Sequence, residues 1–130
     1  MSDDKDKLKE LQKLSTQGGD IEKELLTYIA EHDESYMGHL LLGGLYFTQD
    51  KLTLARPYFE RVLSVKPSEP NSNTCMFHIL WENKERNEAM LLIQKYLDGK
   101  HPDTDDALIV KNQFEEIRSE LMQKRIWLNA

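Results

Sequence analysis

A single cysteine, Cys75, in a chain of 130 residues excludes an internal disulfide and points to a reducing compartment. Glycine and proline are also few, six and four, and alternating runs of Val, Ile and Thr are missing, so nothing argues for a sheet. No apolar run approaches the ~18–20 residues of a membrane-spanning helix. The opening Met1-Ser2-Asp3-Asp4-Lys5-Asp6-Lys7 is dominated by charge with no apolar stretch behind it, which predicts no secretory leader. Cations are the minority charge: 17 Lys and Arg against 23 Asp and Glu leave a net charge of −6 and a pI near 5.2. That balance disfavours a nucleic-acid backbone or an anionic membrane surface as partner, because both need an excess of cations on one face. The expectation is a cytoplasmic protein.

What is present is helix-forming. Hydrophobic residues make up 39% and charged residues 31%, with a mean hydropathy of −0.64, and Leu, Glu and Lys are abundant. The length suits one domain, 1–130, with a modest core, and the composition predicts an all-α fold. Sliding the chain against itself by 34 residues aligns apolar with apolar. Leu8, Leu42 and Met76 fall together, as do Leu11, Leu45 and Ile79. Ile21, Ala55 and Ala89 align, followed by Leu25, Phe59 and Ile93, then Tyr28, Val62 and Tyr96, and finally Ile29, Leu63 and Leu97.

Each unit reads as two helices joined by a short polar turn. In the first, Leu8, Leu11 and Leu14 mark one helix, Gly18-Gly19-Asp20 breaks it, and 21–30 forms the second. In the next, 36–48 and 53–65 are helical around Gln49-Asp50-Lys51-Leu52, with Pro57 tolerated near a helix start. In the third, 70–82 and 86–97 flank Asn83-Lys84-Glu85, and Pro70 suits a first-turn position. A further helix starts at Pro102-Asp103-Thr104 and is expected to reach about Ile126. Its stripe of Ala107, Val110, Phe114, Ile117 and Leu121 is expected to pack on the second helix of the third unit. The apolar end Ile126-Trp127-Leu128 has three open readings: folding back, pairing with another subunit, or serving as a small docking motif.

The middle unit carries Leu42-Gly43, Tyr46, Ala55, Phe59 and Pro67. In type and spacing it resembles a tetratricopeptide repeat. Gly43 and Ala55 are small where two helices approach, Tyr46 and Phe59 fill the space between them, and Pro67 ends the second helix. The third unit matches more weakly, with Met76-Phe77, Leu80, Ala89 and Ile93; its terminal proline, Pro102, comes one place late. The first keeps only the apolar register, and His39 replaces the tryptophan that often opens the motif. The resemblance spans roughly 2–103, in units of about 2–35, 36–69 and 70–103. It implies a right-handed α-α superhelix of about three helical hairpins plus a C-terminal capping helix over about 104–126.

For function, the resemblance implies a concave groove lined by the first helix of each pair, holding a peptide or helix without chemistry. Projecting those helices puts Met37, Leu40, Gly44 and Phe47 on the groove side of the middle unit. Asn71, Thr74, Cys75, His78 and Trp81 take that side in the third, and Asp3, Asp6, Glu10 and Lys13 in the first. The middle helix is apolar nearly all round, so an open patch of several hundred Å² at Leu40, Phe47 and Trp81 calls for a cover. The candidate partner-binding residues are Met37, Leu40, Phe47, Asn71, Thr74, Cys75, His78 and Trp81. The apolar ones would supply burial, while Asn71, Thr74 and His78 would fix register by hydrogen bonds.

Three other occupants compete: the chain's own C-terminal segment; a second copy, making the chain a self-assembling subunit and homodimer through the groove or the C-terminal helix; or an export substrate, as in the small acidic secretion chaperones that the size, charge and fold resemble. Family members that clamp an acidic C-terminal tail use Lys, Arg and Asn in the groove, where this chain has Leu40, Gly44 and Cys75. That clamp is absent. Cys75 and His78 are three apart on one helix but fall short of a four-ligand zinc set. Asp103, Asp105 and Asp106 suit the positive end of a helix and lack the spacing of a calcium loop. Gly18-Gly19 and Gly43-Gly44 are not phosphate loops, and no nucleophile, base and orienting group stand in a recognisable pattern. Neither an enzyme nor a cofactor is expected.

Overall fold

The polar breaks in the sequence become the turns of an all-helical chain. The computed structural model describes residues 9, 10, 13 and 21–128, and no strand occurs among them. The helices are α1 (Glu22–Glu31), α2 (Tyr36–Thr48), α3 (Leu52–Val65), α4 (Pro70–Glu82), α5 (Arg86–Asp98) and α6 (Asp105–Gln123). The helix expected around Leu8, Leu11 and Leu14 and the Gly18-Gly19-Asp20 turn lie outside the described residues, as do Asp3 and Asp6. Glu10 and Lys13 are helical and exposed. The chain divides into two compact units that meet in sequence between Val65 and Lys66.

The first unit is built around two close approaches. A Cβ placed on Gly38 would lie 3.2 Å from the Tyr28 ring, and one on Gly43 would lie 3.2 Å from the Phe59 ring. Gly38 therefore lets α2 close on α1, and Gly43 lets it close on α3, as the Leu-Gly pair predicts. Leu25, Tyr28, Leu42, Tyr46, Ala55, Phe59 and Val62 are buried around these contacts. Ser35 caps α2 by accepting the Gly38 N–H at 3.2 Å.

The second unit packs α4, α5 and α6 together. Met90, Ile93, Tyr96, Val110, Phe114, Leu121 and Trp127 form its core, with Phe77, Trp81, Leu92, Leu97, Ile117 and Leu128 packed against it. Phe114 contacts both neighbours, with ring centres 5.3 Å from Tyr96 on α5 and 5.9 Å from Phe77 on α4. The α6 stripe thus meets α4 as well as the second helix on which it was expected to rest. The Glu69 side chain caps α4 by accepting the Asn71 and Ser72 N–H groups, and the Thr104 hydroxyl caps α6 through the Ala107 N–H.

Each hairpin turns on the same device. After α2, the Asp50 N–H donates to the Phe47 carbonyl at 3.0 Å and the Lys51 N–H to that of Tyr46 at 2.9 Å. After α4, Lys84 donates to Trp81 at 3.1 Å and Glu85 to Leu80 at 2.9 Å. These paired bonds satisfy the last carbonyls of the helix and need one residue in the left-handed region. Asp50 (φ 59°) and Lys84 (φ 64°) supply it.

A third such turn corrects the expected end of α6. Arg125 (φ 57°) donates to Met122 at 3.0 Å and Ile126 to Leu121 at 3.0 Å, so the helix stops at Gln123, short of Ile126. The turn sends Trp127 back into the core, where it is 7% exposed. Of the three readings of the apolar end, folding back is the one the structure adopts.

Candidate functional site

The projected binding residues lie on α2 in the first unit and on α4 in the second. On α2, Met37, Leu40 and Phe47 are half-buried, as are Leu41 and Leu45. Phe47 sets its edge against the Phe59 ring, centres 6.2 Å apart. Gly44 has no heavy atom within 4 Å of the position a Cβ would take, which leaves a shallow bare spot between Leu40 and Phe47 on that helix. The wall is apolar but partly covered. The most exposed large apolar side chains lie elsewhere: Leu26, Leu54, Val65, Leu91, Leu108, Ile109, Met122 and Ile126. An openly exposed patch at Leu40, Phe47 and Trp81 is therefore not what the described residues present.

On α4 the five candidates have different environments. Asn71 and His78 are exposed. Thr74 turns its hydroxyl back onto its own helix, donating to the Pro70 carbonyl at 3.2 Å. Its single proton is spent there, so only its oxygen lone pairs remain for a ligand. The half-buried Cys75 thiol is pushed up to about 11, first by burial and then by the Glu69 charge. A neutral thiol of that kind behaves as a small apolar contact at physiological pH and not as a nucleophile. Trp81 departs furthest from expectation. Its ring lies 5.7 Å from Phe77, carries the Arg86 guanidinium at 4.9 Å, and packs against the core that holds Trp127. A helical projection puts Trp81 on the groove side, whereas in the structure Arg86 of its own hairpin partner, α6 and the tail all meet it.

Polar groups that the sequence did not single out stabilise these helices. The Tyr46 hydroxyl donates to Glu22 Oε1 at 2.9 Å, tying α2 to α1. Burial, followed by that hydrogen bond and the Glu22 charge, pushes Tyr46 up to about 12. His39 is buried and its Nδ1 lies 2.8 Å from the Ser35 carbonyl, which puts the proton on Nδ1. Asn73 is buried on α4 and donates to the Pro67 and Glu69 carbonyls, both at 2.9 Å, holding the approach to the helix. The residue types gave a signal for these only in part: Glu22 and Tyr46 are 24 positions apart, with no local pattern linking them.

Among the described residues, no group of three His, Cys, Asp or Glu side chains is placed to hold a metal ion, and no helix is long and apolar enough to cross a membrane. Compared with models of known protein families, with curated proteins and with solved structures, the chain matches none.

Proposed function

We propose that this chain is a non-catalytic protein-interaction module of tetratricopeptide type. In this reading it is a right-handed superhelix of helical hairpins closed by α6, binding an apolar peptide or helix along the outer faces of its first helices. The observation that carries the reading is repetition in three dimensions as well as in sequence. α2 and α4 have the same length and boundaries 34 residues apart, and α3 and α5 begin at the same offset. The left-handed turn residues Asp50 and Lys84 keep that spacing, with the same hydrogen bonds around each. Buried positions follow suit: His39 with Asn73, Leu42 with Met76, Tyr46 with Leu80, and Ala55 with Ala89. Gly38 and Ser72, both small and buried, share a column too.

Support for binding on α2 comes from its half-buried apolar wall of Met37, Leu40 and Phe47 beside the bare Gly44. On α4, Asn71 and His78 are the candidate polar groups that reach solvent. The test is affinity capture from the native cell with the intact chain, compared with Leu40→Asp and Phe47→Ala. Loss of a specific captured protein in both variants, with helicity retained, supports the reading. Capture indifferent to both removes α2 from the site, and a homodimer broken by Leu40→Asp replaces a foreign ligand with a second copy.

A further inference from the structure

On the solvent side of α6 the structure carries an apolar surface that the proposed function leaves unused. Leu108 is 56% exposed, Ile109 53% and Met122 52%, and Ile126, just past the helix end, is 52% exposed. The core of the second unit already takes Ala107, Val110, Phe114 and Leu121 from the other side of this helix. At 100° per residue, Leu108, Asn112, Glu115, Ser119 and Met122 fall along one row, and Ile109, Gln113, Glu116 and Glu120 along the next. The face is therefore apolar at both ends and acidic between. Asp105 and Asp106 add negative charge beside Leu108 and Ile109, all of them exposed. Lys111 is exposed on the same helix, Glu120 is bridged by Lys124 at 3.1 Å, and Arg118 is half-buried and donates to Gln94.

We infer that this face docks a basic amphipathic helix of a partner protein, with apolar residues at its two ends and Lys or Arg between them. The spacing sets its length: Leu108 to Met122 spans about 21 Å, so the partner needs some four turns. Charge sets its chemistry. Glu115 and Glu116 attract a cationic middle, while the apolar ends hold the partner through burial. A second copy of this chain is the wrong occupant, because two α6 faces laid antiparallel bring Glu115 and Glu116 of each against those of the other.

The test uses the intact chain and a fluorescein-labelled synthetic helix of eighteen residues with leucines at both ends and Lys and Arg in the middle. The control peptide replaces those cations with Glu. Fluorescence anisotropy is expected to show the basic peptide binding at least tenfold more tightly than the acidic one, and several-fold more weakly in 300 mM than in 50 mM NaCl. Leu108→Ser with Ile109→Ser should weaken it at least tenfold, and Glu115→Lys with Glu116→Lys should do the same by an independent route. All four side chains are exposed, so helicity should be unchanged in both variants. Leu40→Asp, which tests the α2 reading, should leave this binding intact. Equal affinity for the two peptides overturns the inference, as does indifference to both double variants. Loss on Leu40→Asp moves the peptide to α2, and a homodimer broken by the Leu108 and Ile109 changes makes the face a self-contact; either also overturns it.

Discussion

Replacing Lys84 with glycine should make the protein more stable, and replacing its neighbour Asn83 with glycine should make it less so. Lys84 sits at φ 64°, where an L side chain crowds the following carbonyl at a cost of about 1–2 kcal/mol. Glycine does not incur that cost, but its unfolded chain is more disordered, which takes back roughly 0.5–1 kcal/mol. The net gain for Lys84→Gly is about 0.5–1 kcal/mol. Asn83 has φ −84°, a region any residue adopts, so Asn83→Gly incurs the entropy and relieves nothing. It also deletes an exposed hydrogen bond from Asn83 Nδ2 to Glu85 Oε2, a minor loss. Two adjacent substitutions to the same residue should therefore differ by about 1–2 kcal/mol in opposite directions. Urea unfolding followed by far-ultraviolet circular dichroism resolves this, since with a slope of ~1–2 kcal/mol/M the midpoints separate by about 1 M. If Lys84→Gly fails to stabilise, or if both variants move the midpoint the same way, the left-handed turn is not where the structure places it. Asp50→Gly should stabilise less, because aspartate tolerates the left-handed region better than lysine does.

Three further outcomes follow from the packing. Tyr46→Phe should cost about 1–2 kcal/mol by removing the charge-assisted bond to Glu22. Because folding raises Tyr46 from 10.0 to about 12, the wild-type stability is fully present below pH 10 and falls as pH rises through 12. The phenylalanine variant should lose that part of the alkaline dependence, as measured by urea midpoints from pH 8 upward. With its thiol near 11, Cys75 should alkylate slowly with iodoacetamide at pH 7.5, and the rate should still be climbing past pH 9 in the folded chain. A plateau below pH 9 would contradict the buried environment. Trp127→Ala should cost about 2–3 kcal/mol, less than the ~3–5 kcal/mol of a central aromatic truncation, because the tail can detach without unfolding α6. Faster tryptic cutting after Lys124 and Arg125 in that variant checks the mechanism.

The helix boundaries most legible in the sequence belong to α2 and α4, found as expected at Tyr36–Thr48 and Pro70–Glu82. Their ends are marked by local chemistry: Ser35 as a cap, Pro70 in a first turn, and polar residues just after Thr48 and Glu82. Where chemistry is local, one strand of text suffices. The end of α6 was harder, since Lys124-Arg125 is as compatible with helix as with a turn, and only the burial of Trp127 favours the turn. The candidate binding residues are legible in the sequence only as a helical projection: Leu40 and Phe47 project away from the Leu42–Tyr46 side, while the structure leaves both half-buried, Phe47 against the Phe59 ring on α3, a cover set by elements distant in sequence. Trp81 shows the same limit, with Phe77, Arg86 and the α6 core around it. The exposed Leu108 and Ile109 are visible in the sequence as apolar residues outside the α6 stripe.

Both indoles of the chain, Trp81 and Trp127, belong to the second unit, while Tyr28, Tyr36, Tyr46 and Tyr58 belong to the first. Emission excited at the red edge therefore watches the carboxyl-terminal half alone and is blind to the melting of α1, α2 and α3. Set beside a backbone signal from the whole chain, it separates one cooperative transition from two without introducing any label.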